Sequence, residues 1–134
     1  MSENEKKILA PSLADLDAMA NHALESIPAK LKRHVGAVVI RVEEFPDEDT
    51  EKEMALESPF DILGLYRGVG LPHKSVSDPR PHIDMIFLYR RPILDYWCET
   101  GEELEHVVRH VLIHEIGHHF GFSDDDMERI ETEG

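Results

Sequence analysis

The chain has a single cysteine among its 134 residues, Cys98, so no disulfide can form within it. A reducing compartment is expected. Cations are also scarce: 14 lysines and arginines stand against 28 acids, for a net charge of −14. Phosphate recognition needs a basic face, so nucleic acid is not expected as a partner. An anionic membrane surface is disfavoured on the same ground. No apolar run approaches the length needed to cross a bilayer. The opening MSENEKKILAPS lacks the apolar core of a secretory signal. A soluble, cytoplasmic protein is expected. The acidic stretch Glu43 to Glu57, EEFPDEDTEKEMALE, contains no glycine, which a calcium loop of alternating acidic ligands needs for its sharp turn. That stretch reads as a solvated loop with room for one helical turn.

What is present fits one domain with a modest core, since 41% of the residues are hydrophobic. Residues 1–11 read as a loose polar tail and 12–134 as the folded unit. Ser12 and Asp15 form a capping-box pattern. Leu13, Leu16, Ala20, Ala23, Leu24 and Ile27 then recur at helical spacing up to Pro28. A short turn over Ala29 to Arg33 follows. Val35 to Val42, Asp61 to Arg67 and Ile83 to Arg90 read as strands. Gly64 inside the second suggests close approach by another backbone. Gly68 to Pro81 is rich in Gly, Pro, Ser and Asp and reads as a long loop, placed to act as a rim or lid. Pro92 opens a short helix to about Cys98, and Cys98 is expected to be a small buried hydrophobe. Thr100 and Glu103 suggest a capping box for the last long helix, and Gly121 suggests its end. Ser123 or Asp124 can cap a final short helix to Arg129. The fold class is α+β, with a small mixed sheet of about three strands packed on a long helix.

That helix carries HEIGHHFGFSD, His114 to Asp124. Leu104, Val107, Val108, Val111 and Leu112 form its apolar stripe. Glu115 and His118 continue that stripe and His114 lies at its edge, so these polar groups are expected to face inward and to need partners. Residues four apart lie ~40° apart around the axis and one turn along it. His114 and His118 can therefore reach one ion. Glu115 is swung away from them and can face a water activated by that ion. A lone HExxH is weak in a chain rich in His and Glu. Gly121 and Asp124 extend it to HExxHxxGxxD, which is far rarer by chance. A positive φ at Gly121 turns the chain sharply, so Asp124 can return as a third ligand. A catalytic zinc takes three protein ligands and keeps one position for water. Glu128 is the runner-up ligand. His106 and His110 drift around the helix and are expected at the surface or bracing the ligands; whether an acidic neighbour neutralises His110 the sequence leaves open. His119 points away from the ligand pair, and Gly117 permits close helix packing. Tyr66, Tyr89, Tyr96 and His73 are candidate donors to an oxyanion, although a structural role suits each.

On DILGLYRG (Asp61 to Gly68), IFLYRRPIL (Ile86 to Leu94) and VLIHEIGHHFGFSD (Val111 to Asp124), the chain resembles the small bacterial zincin-like metallopeptidases. The longer motif is similar to that of metzincins, with Asp in place of their third histidine. The resemblance implies a minimal zincin fold, with the active helix against a small sheet and an edge strand bordering the cleft. It implies His114, His118 and Asp124 as zinc ligands and Glu115 as catalytic acid/base. Metzincins carry a methionine turn well downstream of the motif. Here Met127 follows Asp124 by three residues, so a shallow cleft without a lower wall is expected.

The resulting expectation is a zinc-dependent peptidase. Zinc lowers the pKa of a water toward ~7, and Glu115 takes its proton and passes it to the leaving amine. A peptide or protein substrate would add as a strand along Asp61 to Arg67, with Gly64 allowing its approach. Two rivals stay open. One is a non-catalytic module in which zinc fixes the C-terminal turn with four protein ligands. The other is a zinc-dependent endoribonuclease, since some small rRNA-processing enzymes share the ligand spacing; Glu115 and the acidic balance speak against it.

Overall fold

A computed structural model of the chain describes residues 9–68 and 84–133. Only the last three residues of the expected 1–11 tail fall within them. His73 and the Gly68 to Pro81 loop, save Gly68 itself, lie outside. The elements run α1 (Leu13–Glu25), α2 (Ala29–Lys32), β1 (Val38–Glu43), α3 (Glu48–Glu53), β2 (Gly64–Gly68), β3 (Asp84–Tyr89), α4 (Arg90–Thr100), α5 (Leu104–His119) and α6 (Asp124–Glu133). The strands form one mixed sheet in the order β1-β3-β2. β1 runs parallel to β3, with Val38 opposite Asp84, and β2 runs antiparallel to it, with Gly64 opposite Leu88. This is the expected α+β architecture. Among the described residues no helix is long and apolar enough to cross a membrane.

Side chains alternate across a strand, so Ile40, Tyr66, Ile86 and Leu88 share the face that meets the helices. They are buried with Leu16 and Ala20 of α1, Leu31 of α2 and Val108, Leu112 and Ile116 of α5. The local signals behind α1 act as expected. Ser12 Oγ accepts from the Asp15 N–H at 3.0 Å, and the Asp15 carboxylate accepts from the Ser12 N–H at 2.8 Å. That satisfies two donors which a helix start otherwise leaves bare.

Gly64 is a point of close approach, and its neighbour is internal. A Cβ there would sit 2.9 Å from Val111 Cγ1 on α5 and 2.9 Å from the Phe87 carbonyl oxygen. The missing side chain lets α5 lie on β2. The side chain is missing on the side facing α5, so helix packing accounts for this glycine.

Three further expectations are corrected. Thr100 does not cap α5: α4 continues to Thr100 and stops where Gly101 adopts φ 71°, and α5 starts at Leu104 behind Glu103 with no side-chain cap. Cys98 is exposed, on the solvent side of α4. The acidic segment is anchored to the sheet. Asp47 caps α3 by accepting from the Thr50 N–H at 2.8 Å, and Arg67 of β2 pairs with Glu53 at 2.5 Å.

Candidate metal centre

The centre is built where α5 ends. Gly121 has φ 83°, a conformation a Cβ disfavours. The Phe122 N–H donates to the Gly117 carbonyl at 2.8 Å and the Gly121 N–H to the His118 carbonyl at 3.2 Å. These two bonds are a Schellman motif, which satisfies the last carbonyls of the helix and reverses the chain. Aromatic rings brace the turn: His34 lies 5.5 Å from both Phe120 and Phe122. Ser123 then starts α6 with a second capping box, accepting from the Asp126 N–H at 3.1 Å while the Asp126 carboxylate accepts from the Ser123 N–H at 3.3 Å. Asp124 thus becomes the first residue of α6 rather than its cap. The helix runs past Arg129 to Glu133, because Met127 and Ile130 bury its inner face.

The reversal brings Asp124 Oδ1 to 3.4 Å from His118 Nε2. One ligand atom from each of His114, His118 and Asp124 lies within 4.8 Å of the others. This set is open to solvent: the His118 and Asp124 side chains are 56% and 86% exposed. The apolar stripe therefore does not carry the whole site inward. Only His114 and Glu115 are half-buried.

Glu115 sits between α5 and the sheet. Burial pushes its carboxyl up to about 7, while the charge of His118 and the Tyr66 backbone N–H pull the other way. The Tyr66 N–H faces outward for a topological reason. The Tyr89 N–H donates to the Leu63 carbonyl at 3.0 Å, so residues 63, 65 and 67 exchange bonds with β3. Gly64, Tyr66 and Gly68 then direct their backbone groups to the free edge of β2. His114 is held below the ordinary histidine range by burial and by neighbouring His110, which favours the neutral form that binds metals.

Around this set, His119 stacks on Tyr66 with ring centroids 4.0 Å apart. The Tyr66 hydroxyl donates to Asp84 at 2.5 Å and is thereby committed. Tyr89 is buried within the fold, and His106 is an exposed partner of Glu102. Gly117 has no room for a side chain, because Met127 of α6 occupies the space. The chain thus supplies its own support beneath α5. A cleft of about 270 Å³ opens on the opposite face of the sheet, lined by Glu43, Asp47, Thr50, Glu53, Arg67 and Tyr89. It holds none of the motif residues.

One residue of this region escaped the sequence reading. Glu131 reaches His110 Nδ1 at 2.9 Å and His114 Nε2 at 3.2 Å. Glu128, the runner-up, is exposed. Helix geometry explains the choice: Glu131 lies ~40° around the axis from buried Met127, whereas Glu128 lies ~100° away. Seven residues from Asp124, Glu131 is also on that residue's face two turns on, which is the signal that could have found it.

The family model of zincin-like metallopeptidases matches residues 35–134. Among curated proteins none matches the chain.

Proposed function

Because the chain belongs to the zincin-like metallopeptidase family, we propose that it is a zinc-dependent peptidase with His114, His118 and Asp124 as metal ligands and Glu115 as general base. The donor set suits the metal: two imidazoles from α5 and one carboxylate from the start of α6 converge, and imidazole with carboxylate is a normal catalytic zinc shell. When bound, zinc supplies Lewis-acid polarisation of a peptide carbonyl and acidifies a water.

The observation that carries the reading is the place of Glu115. It lies next in sequence to one ligand and within electrostatic reach of another, and it faces the Tyr66 N–H on the free edge of β2. A base with its carboxyl near 7 is matched to proton transfer at neutral pH. Glu115 accepts the proton of the attacking water and returns it to the departing amine. An extended peptide or protein segment binds along the outward groups of Gly64, Tyr66 and Gly68 by strand addition. The His118 and Asp124 side chains are exposed, which is compatible with a position left for water on that side.

The test is turnover of a mixed fluorogenic peptide library by zinc-loaded wild type and Glu115→Gln. Loss of a general base costs about 10²–10⁴-fold, and a drop in that range at unchanged zinc content is expected. Equal turnover by both proteins would overturn the mechanism.

A further inference from the structure

We propose that the chain holds a second divalent-metal site, formed by His110, His114 and Glu131, which competes with the HExxH site for a single ion. One ligand atom from each of these residues lies within 4.8 Å of the others. A single oxygen of the Glu131 carboxylate reaches both imidazoles: Oε1 is 3.1 Å from His110 Nδ1 and 3.2 Å from His114 Nε2. Zinc bonds of about 2.0–2.1 Å in a tetrahedron put neighbouring ligand atoms roughly 3.3 Å apart. Both spacings fall close to that edge length.

The site is built rather than incidental. The Glu131 side chain is 16% exposed, against 86% for Asp124, so its charge acts with less screening by water. Its helix is held on α5 by Met127 against Gly117 and by buried Ile130. The His110 and His114 rings lie 4.0 Å apart on a single helix face, tilted by 38°. The same i, i+4 relation that makes His114 and His118 a pair makes His110 and His114 another, one turn earlier.

The two sets share His114, and a neutral imidazole offers one lone pair. An ion taken by one set is therefore denied to the other. His118 and Asp124, which lie toward the C-terminal end of α5 and beyond it, belong only to the first set. An ion in the second set sits one turn back along α5 and is parked away from the base. The site is a holding position for the metal, and occupancy moves between the two with a change of one histidine and one carboxylate.

Cobalt(II) binding tests this, read by chelator competition and by the visible ligand-field spectrum of the bound ion. Wild type should bind one ion. Asp124→Ala should still bind one, with a changed spectrum and a lowered affinity. Adding Glu131→Gln or, separately, His110→Ala to Asp124→Ala should lower affinity clearly further. His110 is surface-accessible, so its double variant guards against a folding effect of Glu131, and thermal melts check both. If Asp124→Ala alone abolishes binding, or if both doubles bind like Asp124→Ala, the second site does not exist. Two ions in wild type would refute the exclusion. The peptidase reading is judged separately, by turnover of Glu115→Gln.

Discussion

Met127 of α6 occupies the volume that a side chain at Gly117 of α5 would need, with its Cγ 2.7 Å from the position of a Cβ there. The contact presses α6 onto α5 and so fixes where Asp124 and Glu131 stand. Gly117→Ala sets two effects against each other. Ala gains up to about 1 kcal/mol in helix propensity. Overpacking a filled core costs about 1–3 kcal/mol and shifts backbone, and Met127 is wholly buried. Net destabilisation of about 1–2 kcal/mol is expected, with weakened metal binding because α6 is displaced. Urea unfolding and cobalt titration check it. A stabilised variant would mean that Met127 repacks freely.

Gly121 presents the opposite case. Nothing lies within 4 Å of a Cβ built there, but its φ is 83°. Gly121→Ala therefore costs backbone strain alone, about 1–2 kcal/mol. Gly121→Asn should recover part of the loss, since Asn tolerates the left-handed region. Thermal melts of the three proteins should rank Gly, Asn, Ala in falling stability. An Ala variant equal to wild type would show that the turn does not need this conformation.

These two glycines also mark what sequence could and could not convey. Gly121 was readable because a helix stop, a positive φ and the return of Asp124 are all local. The Ser12 box and the pairing of His114 with His118 are local in the same way. Gly117 was readable as a packing site but not by partner, because Met127 meets it only once α6 folds back. Glu131 was missed for that reason. Gly64 announced a close approach, yet spacing could not say that Val111 was the approaching group. Thr100 and Glu103 fit a capping pattern, and Gly101 between them overrode it by ending α4. Patterns along one element survive folding; choices between equally spaced candidates wait for the surface the element docks on.

Two tyrosines should resist ionisation until the fold opens. Burial and the neighbouring charge of Glu43 push Tyr89 up to about 12. Burial and the bond to Asp84 push Tyr66 higher still. Both phenols are neutral in the fold, so their contribution is complete below the usual tyrosine value of about 10 and is lost as pH rises through the folded values. Alkaline titration followed by phenolate absorbance should show a late, cooperative step coincident with loss of helical circular dichroism. Smooth ionisation of Tyr66 and Tyr89 near pH 10, with structure intact, would refute the buried placement.

Glu115 should destabilise the metal-free protein at neutral and higher pH. Its folded value of about 7 lies above the ordinary 4.5 because burial penalises the charged form. The fold therefore favours the protonated carboxyl. That stability is fully present below pH 4.5 and is lost as pH rises through about 7. The shift corresponds to about 3 kcal/mol at most. Gln has the shape of the protonated acid and cannot ionise. In chelator-treated protein at pH 8, Glu115→Gln should therefore unfold at higher urea than wild type, and the gap should close by pH 4.5. Any loss of turnover in the same variant then reflects chemistry rather than folding. A variant less stable than wild type at pH 8 would show that the carboxylate is held by favourable contacts, and a base with its carboxyl near 7 would have to be abandoned.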